Sequence, residues 1–216
     1  MKNLYKFDFH THSILSEDGG ISEKYYEDVL NTGILDFIAI TDHNKIDFAI
    51  KMNKKLGDKI IVGEEISTKE GHVIGLFLKK IIKPYLDIAK TVKLIKNQEG
   101  LVYIPHPFDI FRNGIGEKNL DLVKKDIDII ESFNSKVIVP NFNTKANNYA
   151  QKNEILQAVG SDAHSKSVLG RAFTGVSEKI TKINLLYLLK NASFSKKYSL
   201  LNYLDPKINK LKKIIK

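Results

Sequence analysis

The chain contains 216 residues and carries a formal net charge of +9, because 34 lysines and arginines outnumber 25 acidic residues. It has no cysteine, which excludes a disulfide framework, thiolate metal ligands and a cysteine nucleophile. Apolar residues make up 43% of the sequence, enough for a substantial core, and the length lies within the range of one domain. No segment has the apolar length of a secretory leader or a membrane span. We therefore expect a single domain over residues 1–216, in the cytoplasm and without membrane contact.

Apolar runs and helical periodicity alternate along the chain. In order, they predict a strand over 4–9, a helix near 22–32, a strand over 35–40, a helix near 45–56, a strand over 59–63, a further apolar run over 72–78, a helix near 85–98, a strand over 101–105, a short helix near 119–125, a strand over 127–133, a helix near 143–153, a strand over 155–160, a short strand over 172–176 and a helix near 181–191. Strands that alternate with helices indicate an α/β fold whose parallel sheet closes, or nearly closes, into a barrel.

The last residues, near 205–216, predict a basic C-terminal helix. Ile208, Leu211, Ile214 and Ile215 follow helical spacing, while lysines fill the other face. The favoured interpretation is a solvated terminal helix that packs on the domain, and the alternative is contact with nucleic acid or a membrane surface.

All six histidines fall in five short segments that are rich in metal-ligand chemistry: FDFHTHS, AITDHN, EGHVIGL, YIPHPFD and GSDAHS. Most of these segments follow an apolar run, and in a parallel α/β sheet the ends of the strands are where sites form. Carboxylates recur beside the histidines, namely Asp8, Asp18, Asp42, Glu64, Glu65 and Asp162. Nitrogen and oxygen donors together favour Zn²⁺, Mn²⁺ or Fe over Ca²⁺, which prefers oxygen ligands.

Each segment also has a structural explanation when it is taken alone. His106 stands between two prolines and fits a turn, while Asp162 and His164 fit a helix cap followed by a surface histidine. Asp42 fits a ligand or a residue that orients a neighbouring histidine. The structural explanations would have to hold independently in every segment, so their joint occurrence favours a site with several metal ions.

The chain has only two arginines, and each follows a histidine segment within seven residues: Arg112 follows His106, and Arg171 follows His164. A guanidinium offers a planar fork of donors that matches a phosphate, so both arginines are candidates for binding an anionic substrate. The alternative is that they brace loops through contacts with backbone carbonyls.

The ordered set HTHS with an acidic residue soon after, ITDHN, GEEIS, HVIGL, PHP and GSDAH resembles the motifs of the PHP (polymerase and histidinol phosphatase) family, from about residue 8 to residue 175. The resemblance implies a distorted, TIM-like (β/α)7 barrel, the PHP fold, with two or three divalent metal ions at the carboxyl ends of its strands. The family's ligands fall on His10, His12, Asp18, His43, Glu65, His72, His106, Asp162 and His164.

Two of these assignments involve a choice between neighbours. The segment SEDG has one residue more than the family's usual SDG, so either Glu17 or Asp18 fits, and Asp18 is favoured because it directly precedes Gly19. Glu65 is favoured over Glu64 because it precedes Ile66, and because adjacent strand residues point to opposite faces. Glu131 and Asn134 resemble a Glu and a following Asn that the family often has at the end of a strand; they are expected to support His106, and the alternative is that they line the pocket.

The resemblance implies a hydrolase of phosphoric esters, and we expect it to act through a metal-activated water on a phosphomonoester or a short nucleotide. The alternative is an exonuclease that acts on DNA or RNA ends, which the positive charge favours. A metal-dependent binding module without turnover is a third hypothesis. A carboxamide-hydrolysing barrel would need a modified lysine at a strand end, and the sequence places no lysine convincingly there.

Overall fold

The computed structural model describes residues 4–199 and 201–215. Its strands are β1 (Tyr5–Thr11), β2 (Phe37–Ile40), β3 (Ile60–Ser67), β4 (His72–Leu76), β5 (Leu101–Ile104), β6 (Ile129–Asn134), β7 (Leu156–Gly160), β8 (Phe173–Val176) and β9 (Ser193–Ser195). Its α-helices are α1 (Glu23–Asn31), α2 (Asp47–Leu56), α3 (Ile88–Asn97), α4 (Gly116–Val123), α5 (Pro140–Lys152), α6 (Leu185–Leu189) and α7 (Leu201–Ile214). The strands form one sheet in the order β7-β6-β5-β4-β3-β2-β1-β8-β9.

The sheet curls until β7 meets β1, which makes a nearly closed barrel of seven strands. β8 pairs with the first half of β1, over Tyr5–Phe7. The segment after β7 reaches the other half, where the backbone N–H of His12 donates to the carbonyl of Ala163 at 2.9 Å. The barrel is therefore distorted at its closure, because β8 and the segment after β7 share one edge of β1. This confirms the predicted α/β barrel.

The expected parallel sheet is correct for six of the nine described strands but wrong for β4, β8 and β9, since β8 is antiparallel to both β1 and β9. β1, β2 and β3 run parallel, as do β5, β6 and β7, whereas β4 is antiparallel to both β3 and β5. Only residues 68–71 join β3 to β4. A parallel connection needs a crossover of a dozen or more residues, so this short loop forces a hairpin. As a result His72, at the start of β4, lies at the same end of the barrel as the carboxyl ends of the parallel strands.

Apolar residues cover both faces of the strands, and the alternation along β2 shows how. Phe37 and Ala39 pack in a cluster that draws on all of β1 to β7, including Tyr103, Ile129 and Ala158, which identifies the barrel interior. Ile38 and Ile40 point the other way and pack with the buried residues of α1 and α2. Burial on both faces explains why these strands appear in the sequence as continuous apolar runs.

The predicted C-terminal helix corresponds to α7, although residue 216 lies outside the described residues. Its apolar residues are not buried as the sequence pattern indicates: Leu211 is 60% exposed and Ile214 is 80% exposed. Polar contacts connect α7 to the barrel instead. Within the described residues, no helix combines the length and the apolar character that crossing a membrane requires.

Candidate metal centre

The histidine segments converge at the end of the barrel where the parallel strands finish. His10 and His12 lie at the end of β1, His43 follows β2, and His106 follows β5. Asp162 and His164 follow β7, and Asp18 lies in the loop between β1 and α1. Glu65 lies within β3, which extends four residues beyond its predicted end at residue 63, to Ser67.

The nine residues expected to bind metal form overlapping groups in which one donor atom of each member lies within 4.8 Å of the others. The groups are His12, Asp18, His43 and His164; His10, His106 and Asp162; His10, His12 and Glu65; and His43, Glu65 and His72. The structure thus brings every one of the nine together. Because the groups overlap, some side chains belong to two of them and could be shared between neighbouring metal ions.

Glu65 lies at the centre of this arrangement. Its carboxylate is within 3.3 Å of one ring nitrogen of each of five histidines, His10, His12, His43, His72 and His106. Glu64 points to the opposite face, where one of its oxygens accepts a hydrogen bond from the backbone N–H of Ile82 at 2.9 Å. The alternation of faces along β3 therefore places Glu65, and not Glu64, among the histidines.

The imidazole rings of His10 and His12 face each other through their Nε2 atoms. The Nε2 atoms of His10 and His12 are 3.1 Å apart, and each also lies within 3.8 Å of a carboxylate oxygen of Asp162. Ring nitrogens that aim at one point, with carboxylates around them, are the arrangement of ligands that share cations. The donor set is imidazole and carboxylate throughout, so these residues fit divalent ions such as Zn²⁺, Mn²⁺ or Fe.

Glu131, in β6, orients this set from below. It accepts hydrogen bonds from His10 Nδ1 at 3.1 Å, from the backbone N–H of His106 at 2.7 Å and from the Tyr103 hydroxyl at 2.9 Å. Asn134 donates to the same carboxylate at 2.8 Å. A proton held at Nδ1 leaves the lone pair of His10 Nε2 available to bind a metal ion. This is the usual way in which a carboxylate supports a metal-binding histidine.

Asp42 has a different role from the one expected. Its two oxygens accept hydrogen bonds from the backbone N–H and the hydroxyl of Ser13, at 2.6 and 2.5 Å. It therefore orients the loop that follows β1 and not a histidine ring.

The carboxylates of Glu17 and Asp18 lie in different surroundings. Asp18 Oδ2 lies 3.1 Å from His164 Nε2 and 3.7 Å from His43 Nε2. Glu17 has a side chain that is 74% exposed, and it forms an ion pair with Lys210 at 2.8 Å. Asp18 is the acidic residue that the structure places beside the histidines.

Arg112 and Lys136 bring positive charge to the same cluster. The Arg112 guanidinium lies 2.5 Å from Asp162 Oδ2 and 3.1 Å from Asn134 Oδ1, and its Nε donates to Asp109 at 2.8 Å. The Lys136 ammonium lies 3.5 Å from Asp162 Oδ1, with only 9% of the side chain exposed. Sequence reasoning missed Lys136, although it stands two residues beyond β6 and so occupies the strand-end position that marks the other site residues.

The protonation of the metal-free cluster follows from these charges. Burial alone would lower the pKa of His10, but the carboxylates of Asp162, Glu65 and Glu131 raise it well above its usual value. Burial opposes the same shift in His12, whose hydrogen bonds to Asp162 and Glu65 raise its pKa to about 9. By contrast, burial and the nearby Lys136 ammonium lower the pKa of His164 to about 3. The first two rings therefore carry protons near neutral pH, and His164 does not.

Comparison with known proteins agrees with this geometry. A family profile described as PHP-associated matches residues 140–188. The uncharacterized protein MJ0417 of Methanocaldococcus jannaschii is 36% identical over 181 residues, which cover 80% of this chain and 71% of that protein. The chain belongs to the PHP family.

Solved structures resemble this PHP chain in fold. A two-domain protein of Bacteroides vulgatus that contains a predicted PHP-like metal-dependent phosphoesterase has a TM-score of 0.69 at 19% identity, over 96% of this chain and 70% of that one. The lesion-specific endonuclease PfuEndoQ of Pyrococcus furiosus has a TM-score of 0.65 at 15% identity, over 89% of this chain and 58% of that one. At these identities the likeness establishes the PHP fold.

The structure does not bring Arg171 to the PHP site. Its side chain is exposed, and its Nε donates to the backbone carbonyl of Ser167 at 2.8 Å. The proposed role of Arg171 in binding substrate is therefore not supported by its position. Its contact is the loop-bracing one that the sequence left open as an alternative, in a turn where the backbone N–H groups of Val168 and Arg171 donate to the carbonyls of Ser165 and Val168, at 3.2 and 3.0 Å.

A cavity of about 450 Å³ opens over the PHP site. Its lining includes Asp18, Glu65 and Asp162 of the candidate metal groups, together with Arg112 and Lys136. α7 also lines the cavity, with Tyr203, Pro206, Lys207 and Lys210. Pockets of this size hold small organic ligands, and four positively charged side chains line this one.

Proposed function

We propose that this chain is a metal-dependent phosphoesterase that hydrolyses a phosphomonoester or a short nucleotide. The observation that carries the proposal is the convergence of nine imidazole and carboxylate side chains on overlapping donor groups, with the Arg112 guanidinium directly beside them. A site built only to hold metal would have no use for a buried arginine and lysine among its ligands, since like charges repel the ions. A substrate that carries negative charge accounts for them.

The nine side chains would hold two or three divalent ions. His10, His106 and Asp162 form one group, and His12, Asp18, His43 and His164 form another. Glu65 belongs to the two remaining groups, one with His10 and His12 and the other with His43 and His72. It is therefore the ligand best placed to be shared. When bound, such ions neutralise phosphoryl oxygens and make a water molecule acidic enough to serve as the nucleophile near neutral pH.

The chain's own residues position the substrate. Asp109 and Asn134 hold the Arg112 guanidinium in one orientation, at 2.8 and 3.1 Å, so its fork is preorganised for the oxygens of a phosphoryl group. Lys136 adds a second positive charge on the same side of Asp162. Glu131 keeps a proton at His10 Nδ1, which fixes the ring while the substrate binds and leaves.

An exonuclease is the second candidate, and the rim of the cavity favours it. Lys207 and Lys210 of α7 line the same cavity as Arg112, and the chain as a whole carries a net charge of +9. Contacts with several phosphates would make binding fall steeply with salt, because counterions are released from the nucleic acid. A small phosphorylated substrate would show a much weaker dependence.

The test is a screen of the protein loaded in turn with Zn²⁺, Mn²⁺ and Fe²⁺. Substrates are nucleoside monophosphates, nucleoside bisphosphates, histidinol phosphate, an aryl phosphate and 5′-labelled oligonucleotides, each at two salt concentrations. The Asp162→Asn variant, purified in parallel, controls for contaminating phosphatases. We expect metal-dependent release of phosphate or nucleotide by the native protein alone. Absence of hydrolysis across the panel by folded, metal-loaded protein would contradict the proposal.

A further inference from the structure

We propose that α7 is a positioning element of the metal centre, in which Asn209 and Lys213 hold the loop that carries Asp18. This loop, residues 13–20, is named here the Asp18 loop. The inference rests on the proposed metal site and adds that the ion beside Asp18 is bound tightly only while α7 is docked.

Asn209 joins the backbones of two ligand segments. Its side-chain amide donates to the carbonyls of both Asp18 and His164, each at 2.9 Å. The side chains of the same two residues meet at 3.1 Å, between His164 Nε2 and Asp18 Oδ2. One amide group therefore fixes the spacing of two donors that belong to one candidate metal group. Gly20 leaves the room for this contact, since a Cβ there would lie 2.8 Å from the Asn209 side chain.

Lys213 holds the curvature of the Asp18 loop. Its ammonium donates to three carbonyls of that loop, at 2.8 Å to Ile14, 2.5 Å to Ser16 and 2.8 Å to Gly19. An ammonium has three donors and no acceptor, so these contacts use its full hydrogen-bonding capacity. Carbonyl oxygens that converge in this way repel one another without a cation. The observed shape of the loop therefore depends on Lys213.

The Asp18 loop transmits this shape to the ligands. The Ser16 hydroxyl lies 3.2 Å from Asp18 Oδ1 and 3.4 Å from His12 Nδ1, so the loop orients two members of one donor group. Loss of the α7 contacts would let Asp18 move away from His43 and His164. The group of His10, His106 and Asp162 draws its donors from a strand and two strand ends, and within the described residues its side chains make no hydrogen bond to this loop.

The way in which α7 is held also indicates a role beyond packing. Leu204 and Leu211 are 52% and 60% exposed, so burial of apolar surface contributes little to its docking. Lys210 pairs with Glu17 of the Asp18 loop at 2.8 Å, and Asp205 accepts a hydrogen bond from Ser165, beside His164. The described polar ties of α7 thus go to the two segments that carry Asp18 and His164.

The experiment measures metal binding and not hydrolysis. Asn209→Ala and Lys213→Met are compared with native protein and with Lys212→Met, which changes an exposed neighbouring lysine of the same helix. Alanine favours helix more than asparagine does, so the first variant does not unwind α7. Zn²⁺ and Mn²⁺ affinities come from competition with a chelator, and bound ions are counted by elemental analysis. Hydrogen exchange reports on the amides of residues 14–19.

We expect one ion to bind about tenfold more weakly in both variants, because Asn209→Ala removes two hydrogen bonds to the ligand segments and Lys213→Met removes three, while an ion held by His10, His106 and Asp162 keeps its affinity. Exchange of the loop amides should become faster, Lys212→Met should match the native protein, and Lys213→Arg should restore most of the affinity.

Equal affinities and equal exchange in all variants would overturn the positioning role alone. Native protein that binds metal but hydrolyses no ester would instead contradict the proposed function and leave this inference standing. Native protein that binds no divalent ion would overturn both.

Discussion

Metal loading should release protons from the site, and their number follows from the two histidines that face each other. His12 has a pKa of about 9 in the metal-free protein, and carboxylates raise the pKa of His10 well above its usual value. Both rings are therefore protonated at pH 7, whereas His106 and His164, with lowered pKa values, are not. A metal ion binds only the neutral ring, so loading at pH 7 should release about two protons per chain.

The pH dependence of affinity has the same origin. Each proton that must leave makes apparent binding about tenfold tighter per pH unit, up to the pKa of the ring. For His12, the interval from pH 7 to about 9 corresponds to about 3 kcal/mol of binding free energy. The stability of the metal-free fold changes with pH in the opposite direction to the metal affinity. Because folding raises the pKa of His12 from 6.5, its proton stabilises the metal-free fold below pH 6.5, and this contribution is lost as the pH rises through about 9.

Titration calorimetry in buffers of different ionisation enthalpy counts the released protons directly. The release should decrease as the pH rises through about 9, where the His12 ring becomes neutral before metal is added. Affinity that does not change between pH 6 and 8.5, or release of fewer than about one proton at pH 7, would refute the assignment of His10 and His12 as protonated ligands.

Three further outcomes follow from particular contacts. Arg112→Ala should lower kcat/KM about 10- to 100-fold through loss of charged hydrogen bonds to phosphate, whereas Arg171→Ala, which loses only a loop contact, should match the native kinetics. Glu64→Gln should stabilise the protein by about 2 kcal/mol at pH 8 and little at pH 5, as urea unfolding would measure. Burial raises the pKa of Glu64 to about 7, so the buried negative charge of its carboxylate destabilises the fold increasingly as the pH rises from 4.5 to 7. Glu65→Gln, one residue along, should instead weaken metal binding, and equal effects of the two changes would contradict the opposite orientation of these side chains. Removal of metal by a chelator should lower Tm by about 5–10 °C relative to protein at a hundredfold excess of metal over Kd, and an unchanged Tm in calorimetry would argue against binding to the folded state.

Much of the barrel could be predicted because local pattern and tertiary burial agree. Strands covered on both faces appear as apolar runs, and the helices between them show clear periodicity. The direction of β4 could not be inferred from its apolar run, since HVIGL fits a parallel or an antiparallel strand equally well. The length of the loop at 68–71 was the available signal, because four residues do not allow a parallel crossover.

The nine candidate ligands could be identified from the sequence because they are histidines and carboxylates in a recognisable order of motifs. Lys136 and the polar residues of α7 belong to no such motif. Lysine is abundant in this sequence, and only the tertiary structure shows that Lys136 points at Asp162 while most other lysines face solvent. The apolar spacing in α7 predicted a packed helix correctly in kind but indicated the wrong contacts, because its polar residues make the ties to the barrel.

The charge of the site connects these residues to the kind of substrate it can bind. Hydrogen bonds and nearby positive charge outweigh burial and lower the pKa of four carboxyl groups, those of Asp18, Glu65, Glu131 and Asp162. In the metal-free protein, these four negative charges and that of Asp109, which pairs with Arg112, face four positive charges, those of Arg112, Lys136 and the protonated rings of His10 and His12. Exchange of two protons for two divalent ions would change the net charge of the site from about one negative to about one positive, so the loaded site attracts a phosphate monoester dianion near neutral pH and the metal-free site does not. Orthophosphate or vanadate should therefore bind the loaded protein far more tightly than the metal-free protein, and equal affinity for both forms would contradict this balance of charges.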